Sequence, residues 1–140
     1  MTDIAFFDTN VLLYMYDRRD PRKRHKSVEI FRSCLESRSL VISTQVVQEF
    51  YVSVTRKLLL SAGEARELVV DLCELPVLSV ETAQILRALD LEERYRVSFW
   101  DALILSAAEA SGARVLYSED FNHGQIYGGI RLVNPFLADH

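Results

Sequence analysis

The stretch Ile4-Ala5-Phe6-Phe7-Asp8-Thr9-Asn10 leads an apolar run directly into an acid. A short run that is apolar on both faces is typical of a strand buried inside a parallel sheet. Such a strand carries the residue that ends it, here Asp8, to the carboxyl edge of the sheet, where open α/β folds place their sites. Thr9 and Asn10 can cap a helix that begins near Val11, although Asp8 can equally be a turn or cap residue itself. The stretch therefore predicts a buried strand, a helix and an acid between them.

The remainder of the chain alternates strand and helix patterns. Short apolar runs at Leu40–Ile42, Val77–Val80 and Arg114–Tyr117 predict three further strands, and Ile130–Val133 predicts a fifth at the edge of the sheet. The segments between them carry apolar residues at helical spacing, with cap and stop residues at their ends. Strands that alternate with helices predict an α/β sandwich around a mainly parallel sheet of four to five strands. With 140 residues, we expect residues 1–140 to form a single domain.

Composition describes an ordinary globular protein, with 49% apolar and 26% charged residues. No uncharged run approaches the ~20 residues that a membrane-spanning helix needs, and the N-terminus lacks the pattern of a secretory signal. Cys34 and Cys73 are isolated cysteines without the spacing of metal ligands, which suits a reducing compartment. We therefore predict a cytoplasmic protein without membrane association, with both thiols in the core.

Positive charge is concentrated in one short segment, although the net charge is −4. The segment between Arg18 and Lys26 holds six of the sixteen lysines and arginines, namely Arg18, Arg19, Arg22, Lys23, Arg24 and Lys26. A local basic patch can attract phosphate even on an acidic protein. The same pattern is also typical of a solvated loop and helix start.

Three further acids follow strands or stand near helix starts, as Asp8 does. Glu49 lies about two turns into the helix after the second strand, Asp101 lies in the first turn of an alanine-rich helix, and Asp120 follows the fourth strand. Each can project over the same edge of the sheet as Asp8. Four carboxylates that converge there would repel one another and raise their pKa values unless a cation held them. Oxygen-only ligand sets suit Mg²⁺ or Mn²⁺ better than zinc.

Each of these acids also has a purely structural interpretation. Asp101 can be the third residue of a helix cap formed with Ser98. Glu49 can be an exposed residue at the edge of an apolar stripe, and Asp120 can be a turn former. The conjunction of the four acids on a parallel sheet, rather than any single one, favours a metal site.

Four motifs, spread in order over nearly the whole chain, resemble the PIN-domain ribonucleases, and within them the VapC toxins of prokaryotic toxin–antitoxin pairs. The motifs are Phe7-Asp8-Thr9-Asn10, Gln45-Val46-Val47-Gln48-Glu49-Phe50, Ser98-Phe99-Trp100-Asp101-Ala102-Leu103-Ile104 and Ser118-Glu119-Asp120-Phe121-Asn122-His123-Gly124. The segment from Gly129 to Phe136 also looks like these toxins. The first motif alone is weak evidence, whereas the ordered set is specific.

The resemblance implies a single PIN domain, a three-layer α/β/α sandwich, acting as a Mg²⁺- or Mn²⁺-dependent endoribonuclease. By position, Asp8, Glu49, Asp101 and Asp120 would be the catalytic and metal-binding residues, with Asn10 and Ser118 in support. It further implies a homodimer that a small cognate antitoxin inhibits by covering the groove, while the antitoxin also binds operator DNA. In such an enzyme, the basic segment Arg18–Lys26 would be a candidate for holding the RNA backbone.

Two other protein classes also place an aspartate after the first strand. A haloacid-dehalogenase-like phosphatase would use Asp8 as a nucleophile, but it normally needs a second acid two residues later, where this chain has Asn10. A phosphoacceptor binding domain would need paired acids before Asp8 and a lysine near the late strand, and Tyr117-Ser118-Glu119 supplies no lysine. Both remain alternatives at the level of sequence.

Overall fold

The structure, a computed structural model, describes residues 2–137, in which strands alternate with helices. In chain order the elements are β1 (Ala5–Phe7), α1 (Thr9–Tyr14), α2 (Pro21–Glu36), β2 (Leu40–Ser43), α3 (Thr44–Arg56), α4 (Ala62–Cys73), β3 (Val77–Leu78), α5 (Thr82–Tyr95), α6 (Phe99–Ala110), β4 (Val115–Tyr117), β5 (Ile126–Tyr127) and β6 (Ile130–Val133). Within this part of the chain, no helix has the length and apolar character needed to cross a membrane.

The strands form one sheet in the order β3-β2-β1-β4-β6-β5. β1 lies inside the sheet, where Phe6 is in register with Val41 of β2 on one side and with Leu116 of β4 on the other. Every neighbouring pair is parallel except β5 and β6. The predicted α/β class with a mainly parallel sheet and flanking helices is therefore confirmed, and Asp8 does follow an inner strand.

The described sheet has six strands rather than the predicted four to five. The additional strand is β5, which spans two residues and pairs with β6 through a tight turn at Gly128, whose φ is +65°. A two-residue strand is too short to show an alternating pattern. Because β5 pairs with the outer side of β6, the segment Ile130–Val133 is not the edge strand that the sequence suggested.

The core is built from strand residues that are covered on both faces of the sheet. Phe6 and Phe7 point to opposite faces and both are fully buried, as are Ile42 and Leu116 in the neighbouring strands. This double burial is what helices on both faces of a parallel sheet produce. In α6, the seven consecutive residues 102–108 are all buried, because small alanines let the helix pack on every side.

Short polar side chains start the helices that carry the candidate acids. Asp8 is the N-cap of α1, and its side chain accepts a hydrogen bond from the backbone N–H of Thr9. The helix therefore begins at Thr9, which confirms the alternative that Asp8 is itself a cap residue, whereas the prediction that Thr9 or Asn10 would cap a helix from Val11 was wrong. Ser43 caps α3 and Ser98 caps α6 in the same way.

One of the two predicted core thiols lies at the surface. Cys34 of α2 is buried as expected. Cys73 is exposed, because it is the last residue of α4 and its neighbour Leu72, not Cys73, is the residue that this end of the helix buries. The sequence around an isolated cysteine therefore did not indicate whether its side chain is buried.

Candidate active site

The four candidate acids line one cavity at the carboxyl edge of the sheet. Its volume is about 520 Å³, and Asp8, Glu49, Asp101 and Asp120 all contribute to its wall. Asp8 reaches it from the end of β1 and Asp120 from the loop after β4, which is the strand next to β1. Glu49 reaches it from α3 and Asp101 from the first turn of α6. Side chains far apart in sequence are therefore brought together as the sheet topology predicts.

Asp8 is the most deeply placed of the four acids, with 4% of its surface exposed. Its Oδ1 accepts a hydrogen bond of 2.7 Å from the Thr9 backbone N–H, and its Oδ2 accepts one of 2.7 Å from Ser118 Oγ. Burial raises the pKa of Asp8 to about 7, and the negative charges of Asp120 and Glu49 add to this rise. The two hydrogen bonds oppose it. The carboxyl group is thus protonated over part of the physiological pH range when no cation is bound.

Asn10 and Ser118 connect the start of α1 to the loop that carries Asp120. Asn10 Nδ2 donates hydrogen bonds to Asp120 Oδ2 at 3.0 Å and to Ser118 Oγ at 3.3 Å. Asn10 Oδ1 accepts a bond of 3.3 Å from the Glu119 N–H, and Ser118 Oγ accepts one of 3.1 Å from the Asp120 N–H. The two residues predicted as supporting groups therefore contact two of the acids and fix the loop between them.

Glu49 is positioned by two side chains that the sequence did not single out. Thr9 Oγ1 donates a hydrogen bond of 2.8 Å to Glu49 Oε1. Gln45 Nε2 lies 3.3 Å from Glu49 Oε2 and donates at 3.1 Å to the carbonyl oxygen of Trp100. Gln45 and Glu49 are four residues apart, so they lie on one face of α3. This spacing could have identified Gln45 from the sequence as a neighbour of Glu49. Gln45 thus links the helix of Glu49 to that of Asp101.

Asp101 is both a residue of a helix cap and a candidate residue of the site. Its backbone N–H donates a hydrogen bond of 3.1 Å to Ser98 Oγ, so it is the third residue of a capped helix start. Its side chain nevertheless lines the acidic cavity. Burial raises the pKa of Asp101, with further contributions from the charges of Asp120 and Glu49. A residue can therefore serve a cap through its backbone while its carboxylate faces a site.

The chemistry of this donor set fits Mg²⁺ or Mn²⁺, since it offers only carboxylate, amide and hydroxyl oxygens. Burial is the main cause of the raised pKa values of Asp8 and Asp101, and the charges of Asp120 and Glu49 add to both, so a bound cation would favour the ionised carboxylates. Within residues 2–137, no three His, Cys, Asp or Glu side chains stand close enough together to hold one ion as they are arranged. Ion binding would therefore have to draw the acids closer.

The site and the fold agree with a family-level comparison, in which the model of the PIN domain matches residues 5–129. This chain belongs to the PIN-domain family. The match covers β1 to the turn before β6, and hence all four acids of the cavity. Among curated proteins, no sequence relative matches this PIN domain.

Solved structures of toxin–antitoxin proteins share the fold of this PIN domain. A chain of a toxin–antitoxin complex from Klebsiella pneumoniae aligns with a TM-score of 0.67 at 20% identity, covering 94% of this chain and 97% of that one. A chain of VapBC2 from Rickettsia felis, bound to a promoter DNA fragment, aligns with a TM-score of 0.69 at 16% identity over 92% and 96%. VapC20 from Mycobacterium tuberculosis, a sarcin-ricin loop cleaving toxin, aligns with a TM-score of 0.64 at 17% identity over 83% and 89%. The three-layer architecture of VapC-type PIN domains is therefore that of this chain.

The basic segment at the start of α2 is largely engaged in contacts within the PIN domain. Arg19 forms an ion pair of 2.9 Å with Asp17, Lys26 one of 3.3 Å with Glu29, and Arg22 Nη1 donates to the carbonyl oxygen of Phe136. Arg18 and Arg24 line a separate cavity that also contains Glu64 and Glu67. The six cations are therefore not a single surface that faces the acidic cavity.

Lys23 is turned toward the loop that carries Asp120. Lys23 Nζ lies 2.8 Å from Glu119 Oε2 and 3.2 Å from the hydroxyl of Tyr14, which itself donates a bond of 2.7 Å to Glu119 Oε1. The hydrogen bond with Glu119 raises the pKa of Lys23, so this ammonium group stays charged. Tyr14 and Lys23 therefore hold the side chain of Glu119, the residue next to Asp120, while Asn10 contacts Asp120 itself.

Of the described residues that line the acidic cavity, Lys57 is the cation. It stands at the end of α3, and the residues Gln45, Glu49, Ser53 and Lys57 recur every four positions, so they form one stripe along the helix. Lys57 does not stand out in the sequence because it is a single charge outside the basic segment. The fourfold spacing from Glu49 was the signal that could have found it.

Proposed function

We propose that this PIN domain is a Mg²⁺- or Mn²⁺-dependent endoribonuclease of the VapC toxin type. The observation that carries the proposal is the convergence of four carboxylates in one cavity at the carboxyl edge of the sheet. Membership of the PIN family supports it, as does the likeness in fold to a toxin described as cleaving the sarcin-ricin loop. The raised pKa of Asp8, with no cationic partner in the part of the chain that the structure describes, also supports a site that receives a cation.

In this proposal, Asp8, Glu49, Asp101 and Asp120 bind the cation, and each must be deprotonated to do so. A bound Mg²⁺ or Mn²⁺ lowers the pKa of a bound water and offsets charge on the scissile phosphate. Asn10 and Ser118 hold Asp120 and Asp8 in place through the hydrogen bonds described above. Hydrolysis adds water across the phosphodiester bond and leaves a 5′-phosphate and a 3′-hydroxyl end, so no side chain need act as nucleophile.

The proposal includes two protein partners in a cytoplasmic toxin–antitoxin system. A small cognate antitoxin would cover the groove and bind operator DNA, as suggested by structural neighbours that are complexes of this kind, some with DNA. A second copy of the chain would complete a homodimer. Exposed apolar residues on one helix, Ile85, Leu86 and Leu89 of α5, support an interface of this kind, because a protein partner would remove them from water.

A cleavage assay with purified protein, total RNA and Mn²⁺ tests the function. We expect cleavage that a chelator abolishes and that the Asp120→Asn variant lacks, since that variant loses a ligand charge. Asp90→Asn is the matched control, because Asp90 is an exposed aspartate on α5 outside the cavity, and it should cleave as the wild type does. Cleavage that resists chelation, or full activity of a folded Asp120→Asn variant, would contradict the proposal.

Salt dependence tests which cations hold the RNA backbone. The proposed RNA-binding segment predicts that the double variant Arg18→Ala/Arg24→Ala weakens RNA binding and reduces the slope of log affinity against log salt by about 0.7 for each lost phosphate contact. Lys57→Ala should reduce the slope in the same way, because Lys57 lines the acidic cavity. Filter binding at several salt concentrations measures both slopes. A slope unchanged in the double variant would assign Arg18 and Arg24 to solvated surface.

The two phospho-aspartate alternatives receive no support from the site. Asn10, at the position where the phosphatase needs its second acid, is hydrogen-bonded to Asp120. Failure of acetyl phosphate or beryllofluoride to label the protein is the expected result.

A further inference from the structure

The chain contains one tryptophan, and it lies at the candidate active site. Trp100 is 61% exposed and lines the same cavity as the four acids, next in sequence to Asp101. A large aromatic side chain left in water forgoes the free energy of burial, so its exposure inside a functional cavity is informative. An indole in this position offers an apolar, flat surface to whatever enters the cavity.

Trp100 is held in place at its backbone, although its ring is open to solvent. Its carbonyl oxygen accepts the hydrogen bond of 3.1 Å from Gln45 Nε2, and the same amide group contacts Glu49. Its ring packs edge-on against Phe99, with centroids 5.3 Å apart and an angle of 76° between the planes. The backbone of Trp100 is therefore tied to the residue that positions Glu49, and its ring rests against Phe99. Contact with Phe99 restricts the ring, which lowers the conformational entropy that is lost when a ligand stacks on it.

The wall of the cavity carries both charged and apolar residues. Leu13, Val52 and Ile104 line it together with Trp100, whereas the four carboxylates supply the acidic part. A negatively charged group is tolerated near Lys57 or where a bound cation offsets the acids. A neutral, flat group suits the apolar part. One nucleotide unit presents both chemistries, a phosphate and an uncharged aromatic base, at a separation that a single cavity can accommodate.

We propose that a nucleobase adjoining the cleaved phosphodiester stacks on the indole of Trp100, which makes this residue a base-binding platform of the active site. The proposal rests on the ribonuclease function proposed above and adds to it the part of the substrate that Trp100 recognises. Stacking requires only a π-face and is tolerant of sequence, so Trp100 contributes affinity for unpaired bases rather than discrimination among them. The RNA must therefore present a single-stranded segment at the cleavage site.

Because Trp100 is the one tryptophan, the intrinsic fluorescence of the protein reports directly on this subsite. The Asp120→Asn variant, with Mn²⁺ present to keep the cavity charge low, is titrated with a short single-stranded oligoadenylate. We expect saturable quenching of the tryptophan emission. An abasic ribose-phosphate strand of the same length carries the same charge and should leave the emission almost unchanged. Equal quenching by the two strands would overturn the proposal.

Kinetics of the wild-type background provide the second test. Loss of one stacked base costs about 1–3 kcal/mol, so Trp100→Ala should raise KM for single-stranded RNA between about 5-fold and 150-fold, with a smaller change in kcat. Trp100→Phe keeps a π-face and should recover most of the affinity. Tyr51→Ala is the matched control, because Tyr51 is an exposed aromatic residue of the same helix as Glu49 but does not line the cavity.

The outcomes separate this proposal from the one on which it rests. Metal-dependent cleavage with an unchanged KM in Trp100→Ala would refute the stacking platform and leave the ribonuclease proposal standing. Base-dependent quenching without any metal-dependent cleavage would support the platform and refute the ribonuclease. A Trp100→Ala variant that binds RNA normally but no longer binds a co-expressed protein partner would assign the indole to a protein interface and overturn the proposal.

Discussion

The Asp8→Asn variant is expected to lose cleavage activity while its metal-free form becomes more stable than the wild type. Loss of outer-shell groups at metal sites typically costs 10–100-fold, so loss of a ligand charge should cost at least about 100-fold in cleavage rate. The stability gain follows from the pKa of Asp8, which burial raises to about 7. At pH 8 the folded protein carries this charge at a cost that the solvated, unfolded chain does not have.

The size of the gain follows from the same shift. A rise from 3.8 to about 7 corresponds to about 4 kcal/mol at most. Asparagine can accept only one of the two hydrogen bonds, from Thr9 or from Ser118, and this loss opposes the gain by about 1 kcal/mol. We therefore expect Asp8→Asn to raise the free energy of unfolding by at most about 3 kcal/mol.

Urea denaturation at pH 8 in the presence of a chelator measures this change. Asp90→Asn serves as the control for the removal of an aspartate charge at an exposed position, and it should leave both stability and cleavage unchanged. A folded Asp8→Asn variant with full activity would exclude Asp8 as a ligand. A variant that is inactive and less stable than the wild type would show that the hydrogen bonds of Asp8 outweigh its desolvation.

The second large effect is on pH dependence, since the cation must displace the proton of Asp8. Below the pKa of about 7 the folded, metal-free protein holds that proton, so the apparent affinity for Mn²⁺ should fall tenfold for each unit of pH. Half of the Asp8 carboxyl groups are deprotonated at pH 7, so between pH 7 and pH 5 the affinity should fall about 50-fold. Well above pH 7 the Asp8 carboxyl group is fully deprotonated, so it should no longer change the affinity for Mn²⁺. Isothermal titration with Mn²⁺ across this range measures the dependence.

Stability without metal should change with pH in the opposite direction. The folded pKa lies above the unfolded value of 3.8, so folding takes up a proton between these two values. The contribution of Asp8 is therefore most favourable at pH 4 and below, is lost as the pH rises toward 7, and stays constant beyond it. The difference in free energy of unfolding between Asp8→Asn and the wild type should therefore increase as the pH rises from 4 to 7. A Mn²⁺ affinity independent of pH between 5 and 7 would contradict the assigned role of Asp8.

The parts of the fold that the sequence predicted are those with a strong local pattern. The apolar run before Asp8 predicted the inner strand, and the position of the acids after strands predicted that they would meet at one edge. β5 was not predicted, because a strand of two residues is too short to show the alternation of apolar and polar residues that identifies a strand. The cap of α1 was misplaced by one residue, because Asp8, Thr9 and Asn10 are all good cap residues and only the backbone conformation selects among them.

The supporting contacts of the site were less accessible to sequence reasoning. The bond from Thr9 to Glu49 joins residues 40 positions apart, and the pair of Lys23 and Glu119 joins residues 96 positions apart. Nothing local to either residue distinguishes a paired charge from a solvated one. For that reason the segment from Arg18 to Lys26 read as a single basic patch, whereas the fold distributes its charges among several partners.

The close confinement of α6 has a consequence for how the cavity can change over time. Residues 102–108 are all buried in the helix that presents Asp101 and Trp100. A methyl group added at Ala107 or Ala108, which are fully buried, would have to displace neighbouring side chains or the helix itself, and a shift of α6 would move Asp101 and Trp100. The buried alanines of α6 lie outside the cavity, and they nevertheless determine the position of the side chains that line it.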